Sequence, residues 1–350
     1  MQIGLVGCGF IGRVQAWAIQ MLADAQIVSA RLAYVHDRES HRAEQIAEHH
    51  GGAAVDLDTL LDGSDVIWIC TWTSEHLALV EAAADRDVAV FCEKPLGRDL
   101  AESEKVAAAL QRVPHQVGLV LRSSPVFRSL AQCLGDGRFG PHLATVLRDD
   151  QYLPVQGIYR SEWRADATRA GGGTLIEHSI HDIDMLRWLH GQPDSVSAQV
   201  AERLGNEGID DTAVVVARYP DSATSTLVSV WHQVLTRESS RRMEVFCRDA
   251  LLWLDDDGLG PLHIETSAGE EVLEPPVDHW VEQVAAALGL APSLVQMVAN
   301  YGTAAKEFLD AVSAGRSGCP GAGDALMAHR LVDAAYRSSA TGGLPVPTAL

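Results

Sequence analysis

The turn Gly7-Cys8-Gly9-Phe10-Ile11-Gly12 constrains the fold more than any other part of this chain. It follows a short apolar run at 3–6 and opens an Ala-rich stretch of helical spacing at 11–23, so a strand runs directly into a helix. In that context the first glycine permits the tight turn. The second lets a pyrophosphate approach the backbone, and the third lets helix and strand pack closely. The N–H groups of the helix start and the positive end of its dipole then bind phosphate. Gly7, Gly9, Phe10, Ile11 and Gly12 are therefore expected to hold a dinucleotide. One helix and one strand later comes His36-Asp37-Arg38. A carboxylate at Asp37 accepts hydrogen bonds from the adenosine ribose hydroxyls and repels a 2′-phosphate, which favours NAD. Arg38 keeps NADP possible, because its guanidinium can lie over the adenine or pair with a 2′-phosphate.

Further β-branched runs at 31–35, 66–70, 88–92 and 116–121 alternate with helical spacing at 41–50, 76–85 and 101–112. Strands that alternate with helices predict an α/β, doubly wound parallel sheet of Rossmann type. After Leu121 the rhythm changes. A helical stretch at 125–134 precedes a strand at 145–153, a glycine break at Gly171–Gly173 and a long helical pattern at 174–190. Consecutive strands then follow at 195–203, 212–219, 223–232, 242–247 and 251–254, with helices at 294–314 and 324–340. Strands without intervening helices predict an antiparallel sheet in a separate α+β domain. The expected division is 1–121 and 122–350.

A chain of 350 residues has length enough for two such domains. Its 27 basic and 47 acidic side chains give a net charge of −20, and no local basic patch offsets it. Such a surface repels nucleic-acid backbones and anionic lipid, so neither is an expected partner. No apolar run approaches the length of a membrane span, and the N-terminus has no secretory pattern, so the expected location is cytoplasmic. The cysteines (Cys8, Cys70, Cys92, Cys133, Cys247, Cys319) are scattered singly, which argues against a zinc site or a disulfide scaffold.

Two segments carry candidate chemistry. Glu93-Lys94-Pro95 closes the run at 88–92, at the edge where ligands of doubly wound sheets bind, and the proline fixes the lysine at the strand tip. In the helical pattern at 174–190, a rotation of about 100° per residue puts Glu177, His181 and Asp184 on one face and Leu175, Ile176, Ile183 and Leu186 on the other. A carboxylate four residues from a histidine can orient the ring, as a general base for a hydroxyl proton requires. A solvated polar face would read the same way. His178 and Asp182 suggest a metal cluster, but no ordered third ligand accompanies them, so no metal is expected.

Together these segments resemble the Gfo/Idh/MocA oxidoreductase family, the group of glucose–fructose oxidoreductase and inositol dehydrogenase. The likeness rests on the glycine turn, Thr71 to His76, Glu93-Lys94-Pro95, Trp163-Arg164, GGGTLIEHSIHDIDMLRWLHG at 171–191 and Asp211-Thr212-Ala213. It implies a Rossmann domain, a second domain with a large, mostly antiparallel sheet, a homodimer or homotetramer assembled through that sheet, and a nicotinamide held between the domains. It also implies that Thr71, Trp72, His76, Glu93 and Lys94 meet the cofactor. Lys94 and His181 are the implied catalytic pair, with Glu177 orienting the imidazole, and Asp184, His178, Arg122 and Trp163 are implied near the substrate. Glu177 and Ser179 stand where the family usually has Asp and Gly. Trp72 stands where it often has Pro, and can narrow the nicotinamide pocket, stack on a sugar or simply pack. The implied reaction is hydride transfer between NAD(P) and a ring carbinol of a sugar, inositol or sugar derivative. NAD-retaining glycoside hydrolysis by transient oxidation and a non-catalytic dinucleotide-binding regulator are the alternatives.

Overall fold

Strands that are apolar in both registers have to be buried on both faces. In the computed structural model, which describes residues 1–348, the chain starts with such a sheet. It contains β1 (Gln2–Val6), β2 (Arg31–His36), β3 (Ala53–Ala54), β4 (Val66–Ile69), β5 (Ala89–Cys92) and β6 (His115–Val117). They pair in the order β3-β2-β1-β4-β5-β6, every pair parallel. Neighbouring residues point to opposite cores. Trp68 and Phe91 join Leu5, Ile19 and Ile46 on one face, whereas Ile67, Ile69 and Val90 join Leu60, Val80 and Val106 on the other.

The chain forms two compact units, one of residues 1–123 and 277–326, the other of residues 124–276 and 327–350. This differs from a single boundary at Leu121. The reason is the two-faced burial just described. Phe308, in the helix Thr303–Ser313, meets Trp68 of β4 edge-on at 5.6 Å and lies 5.8 Å from Phe91 of β5. The carbonyl of Ala304 accepts a 3.0 Å hydrogen bond from Gln116 of β6. The returning segment thus covers the β4–β6 part of the face. The helix expected at 294–314 is interrupted: Pro292–Met297 and Thr303–Ser313 flank a wider π-turn at Val298–Gly302. The strand expected at 116–121 stops at Val117 and gives way to a 3-10 turn, Val120–Ser123.

The second unit is built on β7 (His142–Tyr152), β8 (Ser195–Ala201), β9 (Thr212–Arg218), β10 (Thr224–His232), β11 (Ser240–Cys247), β12 (Ala250–Leu254), β13 (Leu262–Thr266), β14 (Gly269–Leu273) and β15 (Val346–Pro347). Their order is β14-β13-β12-β11-β7-β10-β9-β8-β15, antiparallel except for β7 with β10. Leu147, Leu227 and Met243 sit side by side on its buried face. Val146, Val214, Val216 and Phe246 are exposed on the strands β7, β9 and β11. Among the described residues no helix is long and apolar enough to cross a membrane, and all six cysteines are free, five of them buried.

Phe308→Ala empties the contact with Trp68 and Phe91, and a buried Phe→Ala change costs about 3–5 kcal/mol. Urea unfolding followed by tryptophan fluorescence should show that loss in the unit that carries Trp68. An unchanged midpoint would mean that 277–326 is not part of this core.

Candidate functional site

The glycine turn has the form its sequence requires. Gly7 has φ +94°, and a Cβ there would press on the Cys70 carbonyl at 2.6 Å. A Cβ at Gly12 would strike the Gly7 carbonyl oxygen, so α1 (Phe10–Asp24) can approach β1 only without one. At Gly9 a Cβ would meet nothing within 4 Å, which leaves an open cradle beside a helix start that has no side-chain cap. That is the fit a pyrophosphate needs, since its oxygens can take the N–H groups of Phe10, Ile11 and Gly12. Asp37 is held at the tip of β2. Its Oδ2 accepts from the Cys8 N–H at 2.7 Å and its Oδ1 from the Glu39 N–H at 2.9 Å. Next to it, the Arg38 guanidinium is paired with Glu75 at 2.5 Å and lies 5.5 Å from the centre of the Trp72 ring. The half-buried Thr71 precedes that ring.

At the tip of β5, Lys94 is half-buried between two buried residues, Glu93 and Pro95. Glu93 is held from below, its Oε1 accepting from Gln15 Nε2 at 2.8 Å. His76 is buried as well and donates from Nδ1 to the Pro95 carbonyl at 2.9 Å, so it supports the lysine turn from beneath. The expected substrate residue Arg122 is buried in an ion pair with Asp324, 3.3 Å away, where it ties the 3-10 turn to the start of the helix Ala322–Ala340.

In the second unit the regular helix expected at 174–190 is replaced by a π-turn, Thr174–His178, followed by the helix Ile180–His190. Asp210 causes the distortion: it accepts from the N–H groups of Gly173 at 2.8 Å and Leu175 at 2.9 Å, while its own carbonyl takes the Thr174 N–H at 2.6 Å. Across a π-turn the 100° projection no longer holds, so Glu177 is not fixed on the face of His181 by helical spacing. His181 and Asp184 remain three apart in the regular helix and therefore neighbours. Nor is this face solvated. Glu177 is 2% exposed and Asp184 1%, whereas His181 is half-buried. Glu177 Oε2 accepts from Arg164 Nε at 2.7 Å, and Arg164 in turn lies over Trp163, which packs on the Leu153 and Trp231 cluster.

Sequence reasoning missed a buried charge cluster beside these residues. Arg241 of β11 donates from Nε to Asp182 at 2.7 Å and from Nη2 to Asp149 of β7 at 2.9 Å, and its Nη1 meets Asp257. Asp149 Oδ2 also lies 2.7 Å from Nε2 of His178. The remaining oxygens, Asp149 Oδ1 and Asp182 Oδ2, are buried, and one proton held on Asp182 and turned toward Asp149 satisfies both. The available signal was strand alternation: Asp149 and Arg241 stand in register with the inward Leu147 and Met243. Among the described residues no group of three or more His, Cys, Asp or Glu side chains is placed to hold a metal ion.

Residues 1–119 match a family model described as an oxidoreductase family with an NAD-binding Rossmann fold. Residues 127–252 match the model of the GFO/IDH/MocA C-terminal domain. An inositol 2-dehydrogenase of Rhizobium meliloti (strain 1021) is 30% identical over 354 aligned residues, covering 97% of each chain. A crystal structure of a putative myo-inositol dehydrogenase from Sinorhizobium meliloti 1021 superposes with a TM-score of 0.79 at 25% identity, covering 100% of both chains. A levoglucosan dehydrogenase in complex with NADH and levoglucosan gives 0.87 at 20% identity, also over 100% of both, and shares the fold.

Burial pushes Asp182 up to about 7; Arg241 opposes that shift and the Asp149 carboxylate reinforces it. An unfolded aspartate loses its proton near 3.8, so between that value and about 7 the folded state holds one proton more than the unfolded state. The stability this group contributes is complete below the lower value and is lost as pH rises through the upper one. Asp182→Asn fixes the neutral form. Its melting temperature should therefore decline less than the parent's between about pH 5 and pH 8. Parallel curves would contradict a proton held on Asp182.

Proposed function

The chain belongs to the Gfo/Idh/MocA oxidoreductase family, and from that premise we propose that it oxidises, or reversibly reduces, a ring carbinol of a sugar, an inositol or a related polyol. NAD, when bound, supplies the hydride acceptor or donor for that interconversion. The observation that carries this reading is the position of Lys94. In the sheet order, Asp37 at β2 lies on one side of the glycine turn at β1, and Lys94 at β5 lies on the other. A dinucleotide anchored by its pyrophosphate at β1 with its adenosine ribose at Asp37 extends its reactive end toward β4 and β5. A half-buried cation there, between Glu93 bonded to Gln15 and Pro95 whose carbonyl takes His76, suits an oxygen that gains negative charge.

In this reading Lys94 Nζ stabilises the developing alkoxide, an effect larger in a water-poor site than in bulk. His181 takes the hydroxyl proton. Its Nδ1 is buried, so Nε2 is the atom that exchanges it. Glu177 is a positioning residue, its carboxylate clamped by Arg164. Asp184 and His178 bind substrate hydroxyls. Lys94→Ala should lower kcat by about 10²–10³-fold, the cost of removing one preorganised donor, with NADH affinity nearly unchanged. A screen of sugars, inositols and sugar acids with NAD, followed by absorbance of the reduced cofactor, supplies the substrate. Turnover by the variant equal to that of the parent would refute the role of Lys94.

We propose further that the protein works in the cytoplasm as a homo-oligomer, with a second copy covering the exposed Val146, Val214, Val216 and Phe246 of the second sheet. Four large apolar side chains exposed on one sheet support that reading, since exposed apolar patches mark contact sites. Light scattering of Val216→Asp should report a smaller particle than the parent; an unchanged mass would place the contact elsewhere.

A further inference from the structure

The pair formed by Arg38 and Glu75 spans the nucleotide side of the first sheet. Arg38 follows β2 and Glu75 follows β4, and β1, with its phosphate-binding turn, lies between those strands. The guanidinium therefore crosses the tip of β1. It is fixed at one end by the 2.5 Å contact with Glu75 and supported from below by the Trp72 ring. The next arginine, Arg42, lies in the helix Ser40–His50 and is also paired: its Nη2 is 2.9 Å from Glu39. The two arginines that follow Asp37, one in the loop and one in the helix after it, both have carboxylate partners.

These contacts matter because one phosphate separates NADP from NAD. A 2′-phosphate brings about two negative charges and strong acceptor oxygens to the adenosine ribose, and it is recognised where an arginine is free to meet it. Here Asp37 faces that position with a carboxylate whose two oxygens are held by the Cys8 and Glu39 amides, so it cannot swing away without losing both bonds. The arginine next to Asp37 in the chain is paired with Glu75. We propose that Glu75, by holding Arg38 across the β2–β4 gap and over Trp72, is a specificity-determining residue that selects NAD(H) against NADP(H). The proposal rests on the NAD-binding reading of this unit and adds the residue that resolves the ambiguity of Arg38. Arg38 then serves as a flat, neutralised cover for an adenine rather than as a phosphate ligand.

An exposed ion pair of this kind contributes little to folding, so its removal leaves the protein intact. Titrations of the whole protein with NADH and with NADPH, read by fluorescence of the bound reduced nicotinamide, test the proposal without turnover. The parent should bind NADH more tightly. Glu75→Gln removes the competing charge and should tighten NADPH about tenfold, the effect of one unit charge at surface dielectric, with NADH changed less than about threefold. The double change Glu75→Gln with Arg38→Ala should abolish that gain, because the gain needs the freed guanidinium. An unaltered ratio of the two affinities in Glu75→Gln, or a gain that persists in the double variant, overturns the role of Glu75. A parent protein that binds neither dinucleotide overturns the NAD-binding reading instead, and the two failures are thus distinct.

Discussion

Two-faced burial of a parallel sheet is the constraint on which the first unit depends. Each strand of β1, β4 and β5 sends alternate residues into different cores, so neither face tolerates water. The helices connecting the strands leave the face above Trp68 and Phe91 to be closed by Phe308, from nearly the far end of the chain. A local functional requirement follows from that global one. The carboxyl edge is the only part of such a sheet where chain ends, helix starts and side chains such as Asp37 and Lys94 reach solvent together. Covering both faces directs the chemistry to that edge.

The second unit is organised by charge. Three carboxylates, Asp149, Asp182 and Asp257, surround the buried Arg241 guanidinium. Buried charge is costly unless it is paired and hydrogen-bonded, and one cation cannot balance three anions. Retention of a proton on Asp182 reduces the imbalance, and an imidazolium at His178 against Asp149 would remove the rest. The cluster joins β7, β11 and the helix Ile180–His190 through side chains of fixed geometry, because a guanidinium offers its donors in a rigid plane. His181 and Asp184 belong to that same helix, so Arg241, through Asp182, anchors the helix that carries the proposed proton acceptor.

The sequence revealed the elements with strong periodicity, along with the glycine turn and the candidate residues. It was silent where the deciding force was tertiary. Ala53–Ala54 forms a strand with neither β-branched residue nor alternation, because it only extends the edge beside Tyr34 and Val35. The π-turn at Thr174–His178 has helical composition and is distorted by Asp210, a residue some thirty positions away. Arg122 and His76 read as ligand-facing from their motif positions. Both are buried and bonded within the protein, to Asp324 and to the Pro95 carbonyl, partners that motif position does not reveal. In each case local conformation and side-chain direction depended on partners that neither identity nor spacing reveals.

The net charge of −20 also acquires a physical meaning at this level. With 47 acidic side chains to 27 basic ones, an arginine on this protein has carboxylates near it almost everywhere. Arg38, Arg42, Arg86, Arg98, Arg112 and Arg164 all have such partners. A phosphate approaching this molecule therefore competes with carboxylates for each guanidinium, whereas α1 starts with no side-chain cap at Gly9. The open cradle at Gly9, with uncapped helix amides beside it, is the solution that an acidic chain retains for binding a dinucleotide. The pairing of Arg38 with Glu75 belongs to the same charge balance, in which basic side chains are fewer than acidic ones.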